Sequence, residues 1–232
     1  MFLFLEREMP DIFCAQELLQ KDIPLLEKTL GAHSVFAPMC YRTIDGDVMV
    51  QGVGIFSRLP MKNVVRDYYL GTKEGIGLVD SIRFNTHNAD DLARLHETLA
   101  HVLLRCDVEK DGEQFRISTT HFTWTPDGEA NDFQRGDCAK MLGLLEKAGD
   151  IVFCGDLNAP RGGEIFKKLS EHFTDNVPPQ YNSSLDKELH RVKNLEHMVD
   201  CMFSTDGYVV SDVKMLSGLS DHCALTATIA KK

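Results

Sequence analysis

Short runs of alternating apolar and polar residues dominate this chain, with fewer stretches that carry an apolar stripe at helical spacing. Strand signals recur at residues 11–16, 33–39, 47–57, 62–70, 101–108, 114–122, 151–155, 198–204, 207–215 and 223–229. Residues 101–122 read as a hairpin turning at Lys110-Asp111-Gly112-Glu113. Helical patterns fall at 17–30, 131–148 and 163–171. The second sets Phe133, Met141, Leu142, Leu144 and Leu145 on one stripe, with Lys140 and Lys147 outside it. Asn88 is placed to cap a short helix over 89–98. Residues 1–8 read as the tail of a helix, and the polar stretch 174–195 as a loop. Many strands and a few long crossovers point to two packed sheets with helices outside. A plain β-sandwich fits the strands almost as well.

Composition narrows the class more than the fold. A chain of 232 residues can bury one large core, so 1–232 is read as a single domain. Hydrophobic content of 43% and charged content of 26% are those of an ordinary globular protein. The net charge of −10 argues against affinity built on coating phosphates with lysine. It leaves room for an enzyme whose acidic cleft is neutralised by a metal ion. The seven cysteines form no CxxC pair and several sit inside apolar runs, as buried reduced thiols do. The apolar start, Met1 to Leu5, is too short for a signal sequence and lacks a basic flank. No stretch approaches a membrane span. A cytoplasmic location is expected.

The chemistry concentrates at strand ends. Gly155-Asp156-Leu157-Asn158-Ala159-Pro160 follows the apolar run Ile151-Val152-Phe153-Cys154. Period-two geometry would project Asp156 and Asn158 side by side at the rim of a sheet. A carboxylate beside a carboxamide suits water activation, one group taking a proton and the other orienting by hydrogen bonds. The plainer reading is a turn, since both residue types favour turns for local reasons. Glu17 closes an early apolar run, where it could equally be a charge at a helix N-terminus. His121 ends another strand, with Thr119, Thr120 and Thr123 near it in sequence. Asp221 and His222 precede the last strand, and adjacent side chains there diverge, so they should do different work. Asp200 lies inside an apolar strand, which is costly without a partner. His222 and His197 are its candidates. Acids gathered in one cleft repel unless a cation sits among them. Oxygen ligands favour Mg²⁺ or Mn²⁺ over zinc, whose paired ligand spacing is absent. His33, His87, His96, His101, His172 and His190 read as structural or surface residues, and Trp124 as core or cleft lining.

Taken in order, Ala15-Gln16-Glu17, Gly52-Val53-Gly54-Ile55-Phe56-Ser57-Arg58, Thr120-His121-Phe122, Gly155-Asp156-Leu157-Asn158, Val199-Asp200 and Ser220-Asp221-His222 resemble the endonuclease/exonuclease/phosphatase superfamily. The pieces span nearly the whole chain. The resemblance implies an α/β fold of the deoxyribonuclease I type, a four-layer α/β/β/α sandwich of two mostly antiparallel sheets flanked by helices. It implies Mg²⁺-dependent hydrolysis of a phosphodiester or phosphomonoester substrate by in-line attack of water, with nucleic acid among the candidate substrates. It casts Glu17 as the principal metal-binding carboxylate, with Asp221 assisting at the metal or the water. Asp156 becomes the acid that activates water, and Asn158 the group that orients it. His121 and His222 become phosphate contacts or leaving-group acids, with Asp200 behind His222. One departure stands out: the family opens with a strand ending in Asn, and this chain shows no counterpart. That predicts a shortened N-terminus, an exposed sheet edge and a gap in one sheet. Two other readings follow, a nuclease and a catalytically impaired binding module of the same fold.

Overall fold

The computed structural model describes residues 2–79, 85 and 88–232. His87 lies outside the described residues. The chain opens with helix α1 (Phe2–Glu8), then strand β1 (Ile12–Leu19), helix α2 (Ile23–Leu30), and strands β2 (His33–Ile44), β3 (Asp47–Ser57) and β4 (Met61–Leu70). Helix α3 (Ala89–Thr98) leads into the hairpin β5 (His101–Lys110) and β6 (Glu113–His121). Helix α4 (Asp132–Ala148), strand β7 (Val152–Asp156), helix α5 (Glu164–Ser170) and the two-residue strand β8 (Thr174–Asp175) follow. The chain closes with β9 (Asp200–Ser204), β10 (Tyr208–Leu216) and β11 (Ala224–Lys231).

Three apolar clusters define four layers. Between the sheets, Ala37, Met39, Val53 and Ile55 meet Val102, Leu104, Cys106, Ile117 and Val152. Behind the larger sheet, Met141, Leu142 and Leu145 of α4 and Phe166 and Leu169 of α5 pack with Phe153 and Phe203. Behind the smaller one, Leu5 of α1 and Leu26 and Leu30 of α2 close over Leu18 and Phe56. Each fully buried side chain of this size contributes roughly 1.5–3 kcal/mol. The helix–sheet–sheet–helix order agrees with the expectation from the sequence.

The larger sheet has six strands in the order β4-β5-β6-β7-β9-β8. The facing layer comes as two pieces, β1-β3-β2 and β10-β11. Among the described residues, β1 pairs only with β3 and β11 only with β10. β1 and β11 are therefore edge strands of the two pieces.

Local signals explain most of the elements. Lys110 pairs with Glu113 across the predicted hairpin turn. Asn88 accepts hydrogen bonds from Asp90 N and Asp91 N at the start of α3, and Asn131 accepts one from Gln134 N at the start of α4. The expected helix over 17–30 is corrected: β1 runs on to Leu19, and the α-helix starts at Ile23. A bulge between Ala15 and Leu18 absorbs extra chain inside the strand, so the apolar pair Leu18-Leu19 belongs to a strand and not to a helical stripe. Phe133 of the α4 stripe is 38% exposed; it stacks on His96 at 4.4 Å instead of entering the core.

Candidate active site

Strand register brings the site together. His121 on β6 is paired with Asp156 on β7, in the one parallel step of the larger sheet. Asp156 is in turn paired with Asp200 on β9. Three residues far apart in sequence thus stand in a row across neighbouring strands. Helix α4 supplies the crossover that a parallel step requires. Gly155, beside Asp156, has φ +150°, and a Cβ there would lie 2.1 Å from Thr120 O. Only glycine allows this close approach of β6 and β7.

Asp156 is buried, and its Oδ2 lies 3.5 Å from His121 Nε2 and 4.0 Å from His222 Nε2. Burial, then the charge of Asp200, pushes its carboxyl up to about 6, against the pull of both histidines. The group is ionised at neutral pH yet far more basic than an ordinary carboxylate. His222 is held by Asp200, whose Oδ2 lies 2.8 Å from Nδ1. Burial pulls the His222 pKa down, but the Asp200 hydrogen bond and charge, with Asp156 and Asp221 behind them, carry it up to about 9. His197 does not serve Asp200; its carbonyl accepts from Ser184 N.

Glu17 enters from the other layer. The β1 bulge spans it, and its φ of +51° is unusual for a residue with a side chain. Gln51 Nε2 donates to its carbonyl at 3.3 Å. Its carboxylate is largely exposed and stands 3.9 Å from His121 Nε2. Gln16, one residue earlier, points inward and donates to Thr119 Oγ1 at 2.7 Å, tying the two layers below the site.

One expectation needs correction. Asn158 does not project beside Asp156 by strand geometry. The strand ends at Asp156, and Asn158 has φ +48°. Its backbone N–H donates to Asp156 Oδ1 at 2.7 Å, and its Nδ2 to Phe122 O at 2.8 Å. The turn reading was therefore correct locally, and the turn itself fixes the Asp156 carboxylate. The threonine hydroxyls do not enter the site: Thr119 is taken by Gln16, Thr120 bonds Tyr69 and Val102 O, and Thr123 bonds Asp137. Asp221 is exposed, takes the Ser220 hydroxyl at 3.3 Å, and reaches the cluster through its charge on His222. Trp124 lies away from these residues, beside His96 and His101 under α3.

Sequence reasoning missed the residues that hold this geometry. Ser184, buried in the loop before β9, accepts from both Val199 N and Asp200 N at 3.0 Å. Leu185 forms a β-bridge with His222. Nothing in a polar loop sequence marks one serine as buried. The donor set fits a hard divalent cation. Asp156, Asp200 and His222 place ligand atoms within 4.8 Å of one another, and the charge of Asp200 adds to burial in raising Asp156. With His222 Nδ1 committed to Asp200, Asp156 and Asp200 supply the carboxylate oxygens of this group, and Glu17 stands outside it, 3.9 Å from His121 Nε2.

Solved structures of the same fold confirm the architecture. The human nocturnin catalytic domain with bound sulfate is 18% identical, with 100% of this chain and 85% of that chain covered at a TM-score of 0.68. A D. rerio TDP2 complexed with single-strand DNA product is 14% identical over 99% and 89% of the two chains, at 0.64. A mannosyl-6-phosphatase of Bacteroides thetaiotaomicron is 10% identical over 99% and 88%, at 0.65. No curated protein sequence matches this one. Residues 3–222 match the Endonuclease/Exonuclease/phosphatase family, and the chain belongs to it.

Proposed function

We propose that this protein is a metal-dependent phosphoesterase that hydrolyses a phosphate ester by in-line attack of water. The observation that carries the reading is the row His121–Asp156–Asp200, closed by His222, with one basic carboxylate at its centre. Asp156, ionised and held by the Asn158 turn, takes the proton of the attacking water. Asn158 keeps one side-chain N–H and its Oδ1 for orienting that water, its backbone carbonyl accepting from Gln134 Nε2. His222, kept charged by Asp200, donates to a phosphate oxygen as charge builds there. His121, between Glu17 and Asp156, contacts the phosphate or protonates the leaving oxygen. Glu17 would hold Mg²⁺ or Mn²⁺, with Asp221 assisting from its exposed position. When bound, the ion neutralises phosphate charge and stabilises the crowded transition state.

Hydrolysis of a simple phosphodiester in ¹⁸O-enriched water tests the reaction class. Phosphoryl transfer to water puts one heavy oxygen in the phosphate product and none in the alcohol. Label in the alcohol would contradict attack at phosphorus.

A further inference from the structure

The loop between β8 and β9 does more than brace the site. Asp186 is 3% exposed although its neighbours Lys187, Glu188 and Leu189 face solvent. Its carboxylate accepts from Glu188 N and Leu189 N at 2.9 Å each, and from Gly218 N at 2.6 Å. Its own N–H donates to Asp221 O, and its carbonyl accepts from His190 N at 2.9 Å. A buried, fully satisfied acid thus fixes a tight turn against the segment that carries His222. The turn delivers His190. Its ring meets that of His222 edge-on, with centroids 6.3 Å apart. Nδ1 faces the Val192 backbone, 3.0 Å from its O and 3.2 Å from its N. Nε2 makes no hydrogen bond among the described residues. Arg191, exposed beside it, has no ion pair among the described residues.

We infer that His190 and Arg191 form a subsite for a second phosphate of the substrate, next to the phosphate that is cleaved. This rests on the phosphoesterase reading. The scissile group has its contacts in His121, His222 and the cation. Among the described residues, the only ring that His190 meets is His222, so a ligand reaching it extends beyond the catalytic row. Imidazole and guanidinium are the side chains that grip phosphate oxygens through directed N–H groups. On a chain of net charge −10, an imidazole nitrogen without a protein partner and, next to it in sequence, an exposed guanidinium without an ion pair among the described residues select for an anion. The preferred substrates are therefore esters that carry a further phosphate, in a nucleotide strand or in a small bisphosphate.

Calorimetry with methylenediphosphonate and methylphosphonate in the presence of Mg²⁺ tests the subsite without turnover. The wild type is expected to prefer the two-phosphorus ligand, and His190→Ala and Arg191→Ala each to cut that preference about tenfold, as loss of one charge-assisted hydrogen bond does. Equal weakening of both ligands, or no change in either, overturns the inference. Turnover of a phosphorylated dinucleotide and of a sugar bisphosphate, each against its one-phosphate counterpart, identifies the source of the second phosphate. If no ester is turned over while the bisphosphonate preference is intact and lost in both variants, the hydrolase reading fails and the anion subsite stands.

Discussion

At the residue scale, the site is surrounded by groups held away from their solution behaviour. His101 is the clearest structural example. It is 3% exposed, its Nδ1 lies 2.7 Å from His121 O, and its Nε2 is unpartnered. Burial pulls its pKa down from 6.5 to about 4. Between those values the unfolded chain binds a proton that the folded chain refuses, so stability is full above pH 6.5 and is lost as pH falls toward 4. Urea unfolding should show wild type losing about 2 kcal/mol more than His101→Phe between pH 7 and pH 5. Parallel pH dependence in the two proteins would contradict the assignment. Ser184 makes a second case. Ser184→Ala leaves Val199 N and Asp200 N without their partner, at a cost of about 1–3 kcal/mol, and loosens the strand that aims Asp200. A variant as stable as wild type would remove that role.

Elements place these residues, and their signals in the sequence are uneven. The strand over 47–57, the hairpin 101–121 and α4 were legible, because alternation, an Asp-Gly turn and an apolar stripe at helical spacing are local. Replacing the cap, Asn131→Ala, should cost about 1 kcal/mol in unfolding free energy, while Asn131→Asp keeps most of it. The candidate residues at strand ends were legible for the same reason. Their mutual geometry was not. Neither the β1 bulge that re-aims Glu17 nor the turn that swings Asn158 back to Phe122 O leaves a pattern along the chain. Both depend on partners dozens of residues away. The 174–195 stretch reads as polar loop and, beyond the two-residue strand β8, is one, yet Ser184 and Asp186 are among the buried polar residues of the molecule. Gly155→Ala, which drives a methyl into the Thr120 carbonyl, should cost about 2–4 kcal/mol. Its activity should fall further than its stability explains, because β6 and β7 carry His121 and Asp156.

On the scale of the whole molecule, two sheets converge on one rim with more negative charge than they neutralise. A divalent ion that binds only the folded state raises stability by mass action, by about 2.7 kcal/mol at a hundred times its dissociation constant. Thermal unfolding should therefore shift upward with Mg²⁺ in wild type, and much less in Glu17→Gln. Among the described residues no helix is long and apolar enough to cross a membrane. The divided front layer, with free edges on β1 and β11, leaves the row His121–Asp156–Asp200 intact, since that row sits on the continuous six-stranded sheet. The most direct measurement is turnover of bis(p-nitrophenyl) phosphate by wild type and Asp156→Asn, with Mg²⁺ and after chelation. Metal-dependent hydrolysis is expected in wild type, reduced about 10²–10⁴-fold in a variant that still folds. Equal turnover by the two proteins, or turnover that survives chelation, would contradict a metal-dependent site built around Asp156.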